Sequence, residues 1–235
     1  MTIAMPINYI NTPNGIVGFT QKNYEAKWHS HFYIEVGFAL SGYLNIKTVE
    51  KEYRNVKSVI LNSNLKHSFD CLNGECQLYF LDPTSIEGRQ ILEEFLHDQQ
   101  ILIDEMFSIE LFKRKYLSES NEKYIIDSRI EERIGFCLKW IETNYSREDI
   151  NVAMISEIAL LSNSRLAHIF KEQIGSSIHQ YILWKKVKEA TLLSQKGISL
   201  TRCAHALGFT DSSHFNRTFK NMFGTSPYFA LKKLC

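Results

Sequence analysis

The chain has 235 residues, 44% of them apolar and 23% charged, with a formal net charge of +1. That is an ordinary globular composition with room for two modest cores, and no apolar run approaches the ~18 residues of a membrane span. The opening stretch MTIAMPINYI has no basic segment leading into an apolar one, so neither a signal peptide nor a membrane partner is expected.

The near-neutral total conceals a split. Residues 1–128 hold 12 Lys+Arg against 17 Asp+Glu, net −5, while residues 129–235 hold 15 against 9, net +6. A basic half gains affinity for phosphate by releasing counterions, so this is the asymmetry of a nucleic-acid-binding half joined to a non-binding one. Cys71, Cys76, Cys137, Cys203 and Cys235 are odd in number and include no C-x-x-C pair, which points to reduced thiols in a cytoplasm.

Taken in chain order, residues 33–40, 44–49 and 77–81 are rich in aromatic and β-branched side chains and are separated by turn residues. They predict strands of an antiparallel sheet or small barrel. Cys71 and Cys76 are five residues apart, which puts them on opposite strand faces unless a turn intervenes. Asn73-Gly74 supplies such a turn, so a hairpin carrying two ordinary thiols is expected rather than a redox or metal sensor. After Asp82-Pro83 the periodicity becomes helical. Ile91, Leu92, Phe95 and Leu96 fit one face of a helix over 86–100, and a second helix covers 104–116. Residues 118–128 read as a linker. A third helix over 128–144 places Ile130, Ile134, Leu138 and Ile141 on one stripe.

The last 80 residues contain an internal repeat. Phe170-Lys171-x-x-x-Gly175-Ser176-Ser177 recurs 49 positions later as Phe219-Lys220-x-x-x-Gly224-Thr225-Ser226. Before each copy lies a short amphipathic helix (155–162 and 203–211), a tight turn, and a second helix (163–174 and 212–223). Small residues at Ser156 and Ala204 let paired helices cross closely, Gly208 accommodates a turn with positive φ, and Ser162 and Asp211 are good N-caps. Gly175 and Gly224 sit at left-handed C-caps. The copies are joined by an apolar helix over 178–195, ~27 Å long at ~1.5 Å per residue. That is of the order of the ~34 Å between successive major-groove faces on one side of duplex DNA.

Ala204-x-x-x-Gly208-Phe209-x-Asp211-x-Ser213-x-Phe215-x-Arg217-x-Phe219-Lys220-x-x-x-Gly224-x-Ser226-Pro227 resembles the second helix-turn-helix signature of AraC/XylS regulators. Ser162-x-Ser164-x-Leu166, with Phe170-Lys171, Gly175, Tyr181 and Ala190, resembles the first. The resemblance covers about 129–235. It departs at Leu160 (a turn glycine in the family), at His168 and Lys186 (arginine positions), and in the closing Pro227-Tyr228-Phe229-Ala230-Leu231.

The resemblance implies base-facing roles for Ser164, His168, Ser212, Ser213, His214 and Arg217. Asn163 and Arg165 adjoin them at the start of the first recognition helix. Lys171, Lys185, Lys186 and Lys220 are better suited to phosphate, which positions a protein without reading sequence.

His29-x-His31-x-x-x-Glu35 resembles the first cupin motif, and His67 falls where the second supplies another histidine. On one strand, 29, 31, 33 and 35 would point to the same side, and four N/O ligands inside a barrel suit Fe, Mn, Ni or Zn. AraC-type sensor barrels commonly carry such residues without a metal, as an effector pocket or packed core, so no cofactor is expected. No Ser/His/Asp arrangement, phosphate-cradling loop or H-E-x-x-H is present, and no enzymatic activity is expected.

The expected architecture is α+β. A cupin-like β-barrel with helices (1–117) for sensing or dimerisation is followed by a linker (118–128) and an all-α domain (129–235) with two helix-turn-helix units joined by a long helix. The resemblance implies a cytoplasmic, homodimeric transcription activator whose partners are promoter DNA, RNA polymerase and a small-molecule effector. The alternative is a cupin-type metal-binding enzyme or metal sensor fused to a DNA-binding domain.

Overall fold

A computed structural model describes residues 9–11, 16–104, 106–117 and 129–228. The predicted linker therefore lies outside the described residues. The chain divides into two compact units, one formed mainly by residues 1–127 and the other mainly by residues 128–221.

The first unit is an antiparallel, nearly closed barrel of β1 (Tyr9–Asn11), β2 (Val17–His29), β3 (Ile34–Ser41), β4 (Leu44–Thr48), β5 (Glu52–Val56), β6 (Ser58–Leu61), β7 (His67–Leu81) and β8 (Ile101–Ile103). The strand order is β1-β2-β7-β3-β6-β8, with β4 bridging β5 and the first residues of β7. The fifteen-residue β7 is the spine: it pairs with β2 along one side and with β4 and then β3 along the other.

That continuity corrects the expected hairpin at Asn73-Gly74. β7 runs straight through the pair, and the turn chemistry is spent on a bulge where the register with β2 jumps from Lys22–Glu75 to Tyr24–Cys71. Asn73 takes φ 59° and the facing Asn23 takes φ 52°. A Cβ on Gly74 would lie 2.4 Å from the Ser41 carbonyl oxygen, so only glycine lets β3 approach this closely. Both flanking thiols are buried.

The helix expected over 86–100 is also shorter. α1 (Ile86–Ile91) passes into one π-helical turn, Leu92–Leu96, which ends at His97 with φ 48°. Ile101–Ile103 then leaves helix altogether and pairs with β6. Its three β-compatible apolar residues satisfy an open sheet edge, a tertiary demand that local periodicity does not report. α2 spans Ile109–Tyr116 rather than 104–116. Ile91, Leu96, Phe107, Phe112 and Tyr116 share one core with Ile34, Val36, Phe38, Ile60 and Tyr79 of the barrel, with Leu92 and Phe95 packed against it. Much of the apolar face of these helices is thus buried within the unit, while Ile86 and Leu111 are exposed.

The second unit is all helical: α3 (Glu132–Asn144), α4 (Val152–Ile158), α5 (Asn163–Ile174), α6 (Ile178–Gln195), α7 (Leu200–Ala206) and α8 (Ser212–Phe223). The ends of α5, α6 and α8 fall where the sequence places them. α3 starts later than expected, but Ile130, Ile134, Leu138 and Ile141 are all buried. α6 is enclosed around most of its circumference, with Tyr181, Trp184, Val187, Ala190 and Ser194 inside, so it is the unit's core as well as its spacer. No helix among the described residues is long and apolar enough to cross a membrane.

Candidate nucleic-acid interface

Each helix pair is set by local chemistry. In the first, the Ser162 side chain caps α5 by accepting from the Arg165 amide. Ser156 Oγ, buried on α4, donates to Asn163 Oδ1 at 2.5 Å and ties the two helices together. In the second, Asp211 Oδ1 accepts from the His214 amide at 2.7 Å. Hydrogen bonds from the His214 and Ser213 amides hold the Asp211 carboxyl below the usual carboxylate range. The two turns differ. Gly208 takes φ 67° without strain, but its counterpart Leu160 takes φ 53° with a Cβ in place.

The burial pattern selects one face of each second helix. On α5, Leu166, Ile169, Phe170 and Ile174 point inward, leaving Ser164, Ala167, His168 and Lys171 outward with Arg165 alongside. On α8, Phe215 and Phe219 point inward, leaving Ser213, Asn216, Arg217 and Lys220 outward. The 49-residue repeat superposes these faces position by position, so His168 corresponds to Arg217 and Lys171 to Lys220. Ser212 and His214 are half-buried, and the His214 ring stands edge-on to Phe209 at 5.4 Å. Asn216 belongs to the outward face and escaped the sequence reading. Its position three residues after Ser213 is the signal that could have found it. Asn163 is exposed, but its carbonyl oxygen is committed to Ser156.

Two lysines assigned to phosphate from sequence are not available for it. Lys185 is buried, with its ammonium 2.7 Å from Glu142 Oε2 and 5.2 Å from the centre of the Tyr181 ring. Lys186 is buried and donates to the carbonyls of Arg147 and Gly208, and burial holds its pKa below the usual lysine value. Both lie on α6, whose apolar stems are drawn into the core and whose charged tips are satisfied inside the domain.

The four metal-ligand candidates of the barrel do come together, by a route other than a single strand. His29 ends β2, His31 lies in the connection after it, Glu35 is on β3 and His67 begins β7. All four are buried, with one ligand atom from each within 4.8 Å of the others. Glu35 Oε2 lies 2.8 Å from His31 Nε2 and 3.2 Å from His67 Nε2. Burial, reinforced by neighbouring His67 and His31, pushes His29 down to about 3. Burial raises the Glu35 carboxyl, but hydrogen bonds from His31 and His67 outweigh it and hold the group well below the usual range.

Two capped short-helix pairs on a shared central helix define a double helix-turn-helix unit. A family described as a helix-turn-helix domain matches residues 155–232. The probable transcriptional regulator LumQ of Photobacterium leiognathi is 32% identical over 106 residues, 44% of this chain and 42% of that protein. The Msm operon regulatory protein of Streptococcus mutans is 26% identical over 221 residues, 92% of this chain and 71% of the relative. The arabinose operon regulatory protein of Escherichia coli is 28% identical over 99 residues, 42% of this chain and 34% of that protein. The chain thus spans less than half the length of LumQ and of the arabinose regulator. Apo ToxT of Vibrio cholerae shares the fold, with a TM-score of 0.62 over 96% of this chain and 100% of that one at 13% identity. Residues 155–232 thus match the helix-turn-helix family, and the chain is similar to these regulators over the lengths given.

Proposed function

We propose that this protein is a sequence-specific regulator of transcription that binds promoter DNA as a homodimer in the cytoplasm and recruits RNA polymerase. The observation that carries this reading is the repeated outward face: Ser164, His168 and Lys171 on α5, and Ser213, Asn216, Arg217 and Lys220 on α8. Each face combines short polar groups near the helix start, which suit base edges, with a lysine one to two turns on, which suits phosphate. Arg217 presents a planar donor pair that matches guanine O6 and N7. The positive charge of residues 129–235 adds sequence-independent attraction.

The barrel is the effector-binding part in this reading. The Tyr79 hydroxyl and the Gln77 amide nitrogen are buried with no hydrogen-bond partner among the described residues, and a bound molecule would supply one. ToxT, which shares the fold, has been solved with an unsaturated fatty acid bound. An effector acts by binding one arrangement of the protein more tightly than another, shifting the population competent for DNA.

The test is retention of duplex fragments from the native genome by the purified full chain across a salt series. Sequence-dependent, salt-sensitive enrichment of particular promoter fragments is expected. Uniform retention of all fragments, or none at low salt, overturns the reading.

A further inference from the structure

We propose that Asn216 is a specificity-determining residue that reads an adenine in the major groove, close to the guanine met by Arg217. This rests on the DNA-binding reading and names the base-pair chemistry that the α8 face selects.

Asn216 and Arg217 are the fifth and sixth residues of α8, and both are exposed. Side chains on a helix slant toward its N-terminus, so the tips of these two lie over the first turn, the part of a recognition helix that meets base edges. The charge of Arg217 bears this out. The Asp211 carboxyl at that end is held down chiefly by the His214 amide, and the Arg217 guanidinium adds to the lowering.

The fold itself draws nothing from the amide of Asn216. Its side chain has no hydrogen-bond partner among the described residues. Asn45, Asn144 and Asn163, by contrast, are held by hydrogen bonds within their own units. Asparagine inside a helix is a poorer helix former than alanine, because its side chain competes for backbone groups. The repeat shows what the fold accepts at this place: the counterpart of Asn216 on α5 is Ala167, equally exposed. An unpaired amide that weakens its helix, on the face turned to solvent beside Arg217, points to a partner outside the protein.

The chemistry of the amide selects the base. A carboxamide carries an acceptor oxygen and a donor nitrogen side by side. In the major groove adenine offers the complement, the N7 acceptor and the N6 amine, so the pair closes with two hydrogen bonds. Guanine offers two acceptors, N7 and O6, and leaves the amide oxygen facing a lone pair. Asparagine is short and must come close to the base edge. The small Ser212 and Ser213 at the start of α8 leave room for the helix to seat deeply. Adjacent helix residues differ by ~1.5 Å along the axis and ~100° around it, so the adenine falls about one to two base-pair steps from the guanine. Ala167 can offer only its methyl group, which suits the methyl of thymine and no hydrogen-bonding edge.

The experiment selects sites from a random-sequence duplex library with the purified full chain, then measures binding to the enriched site with each of the four base pairs at every position. An adenine about one to two steps from a guanine is expected, and replacing it by another base should weaken binding roughly 5- to 150-fold. Replacing it by 7-deazaadenine, which lacks N7, should weaken binding about 2- to 10-fold. Asn216→Ala should bind all four pairs at that position alike and ignore the 7-deaza change, with an unaltered salt slope and an unaltered circular dichroism spectrum. Where that variant does not fold, the 7-deazaadenine measurement on the parent protein decides alone. An enriched site lacking such an adenine overturns the proposal and leaves the DNA-binding reading standing. So does an Asn216→Ala protein that keeps the preference, or one that loses affinity equally for all duplexes. Enrichment of no sequence at all overturns both.

Discussion

The ammonium of Lys186, midway along α6, donates to the backbone carbonyls of Gly208 and Arg147, each 3.4 Å away. Gly208 is the turn of the second helix pair and Arg147 lies in the connection between α3 and α4, so one side chain ties the central helix to two loops. Lys186→Ala is expected to destabilise the protein by about 1–2 kcal/mol, from lost stem packing and unpaired carbonyls, as measured by urea unfolding. The salt dependence of DNA retention should not change. A lowered salt slope at unchanged stability would restore Lys186 to phosphate contact.

Leu160 holds φ 53° while 88% exposed, paying for a left-handed turn without burying its side chain in return. Relief of that strain, less the extra chain entropy that glycine brings, predicts that Leu160→Gly stabilises the protein by roughly 0.5–1 kcal/mol. A higher urea midpoint at unchanged slope is the expected result. A lower midpoint would mean that the Leu160 side chain makes a contact in solution.

The Asp211 carboxyl is ionised and hydrogen-bonded at the start of α8, and its pKa is lowered in the folded state by the His214 and Ser213 amides. Its stabilising effect is therefore complete above the unfolded carboxylate value of about 3.9 and is lost as the pH falls through the lower folded value. Asparagine keeps the cap without the charge. The unfolding midpoints of the parent and Asp211→Asn should differ most at neutral pH and converge in acid. A gap independent of pH would assign the loss to shape rather than to charge.

Arg217 and Lys220 are one helical turn apart on α8 and are expected to fail differently. Arg217→Ala should cost about 1–3 kcal/mol at a single base pair and relax preference there. Lys220→Ala should weaken all duplexes alike and lower the salt slope by about 1. Binding measured on a set of singly substituted operator fragments at two salt concentrations separates the two patterns. Parental behaviour in both variants would remove this face of α8 from the interface.

What was legible in the sequence was whatever local chemistry decides. Ser162 and Gly175 bound α5, and Asp211 and Gly224 bound α8, by their own hydrogen bonds or backbone freedom. What was not legible depended on partners distant in the chain. Ile101–Ile103 falls between two predicted helices and carries no strand signal of its own until β6 offers it a sheet edge. Lys185 and Lys186 read as cations at the surface of an apolar helix until α3 brings Glu142 to one and the loops bring carbonyls to the other. Asn73-Gly74 reads as a turn until β2 and β3 hold it straight on both sides. The histidine cluster was foreseen in membership but not in mechanism, because its members arrive from two strand ends, a connection and β3 rather than from one strand.

The repeat is unequal where it meets solvent. Ala167 stands opposite Asn216 and His168 opposite Arg217, so the outward face of α5 offers fewer hydrogen-bonding groups than that of α8. A duplex gripped by two unlike hands has a front and a back. In the proposed function, one chain is therefore expected to sit on its site in a single orientation, so that reversing the element in front of a gene alters which end of the protein faces the start point.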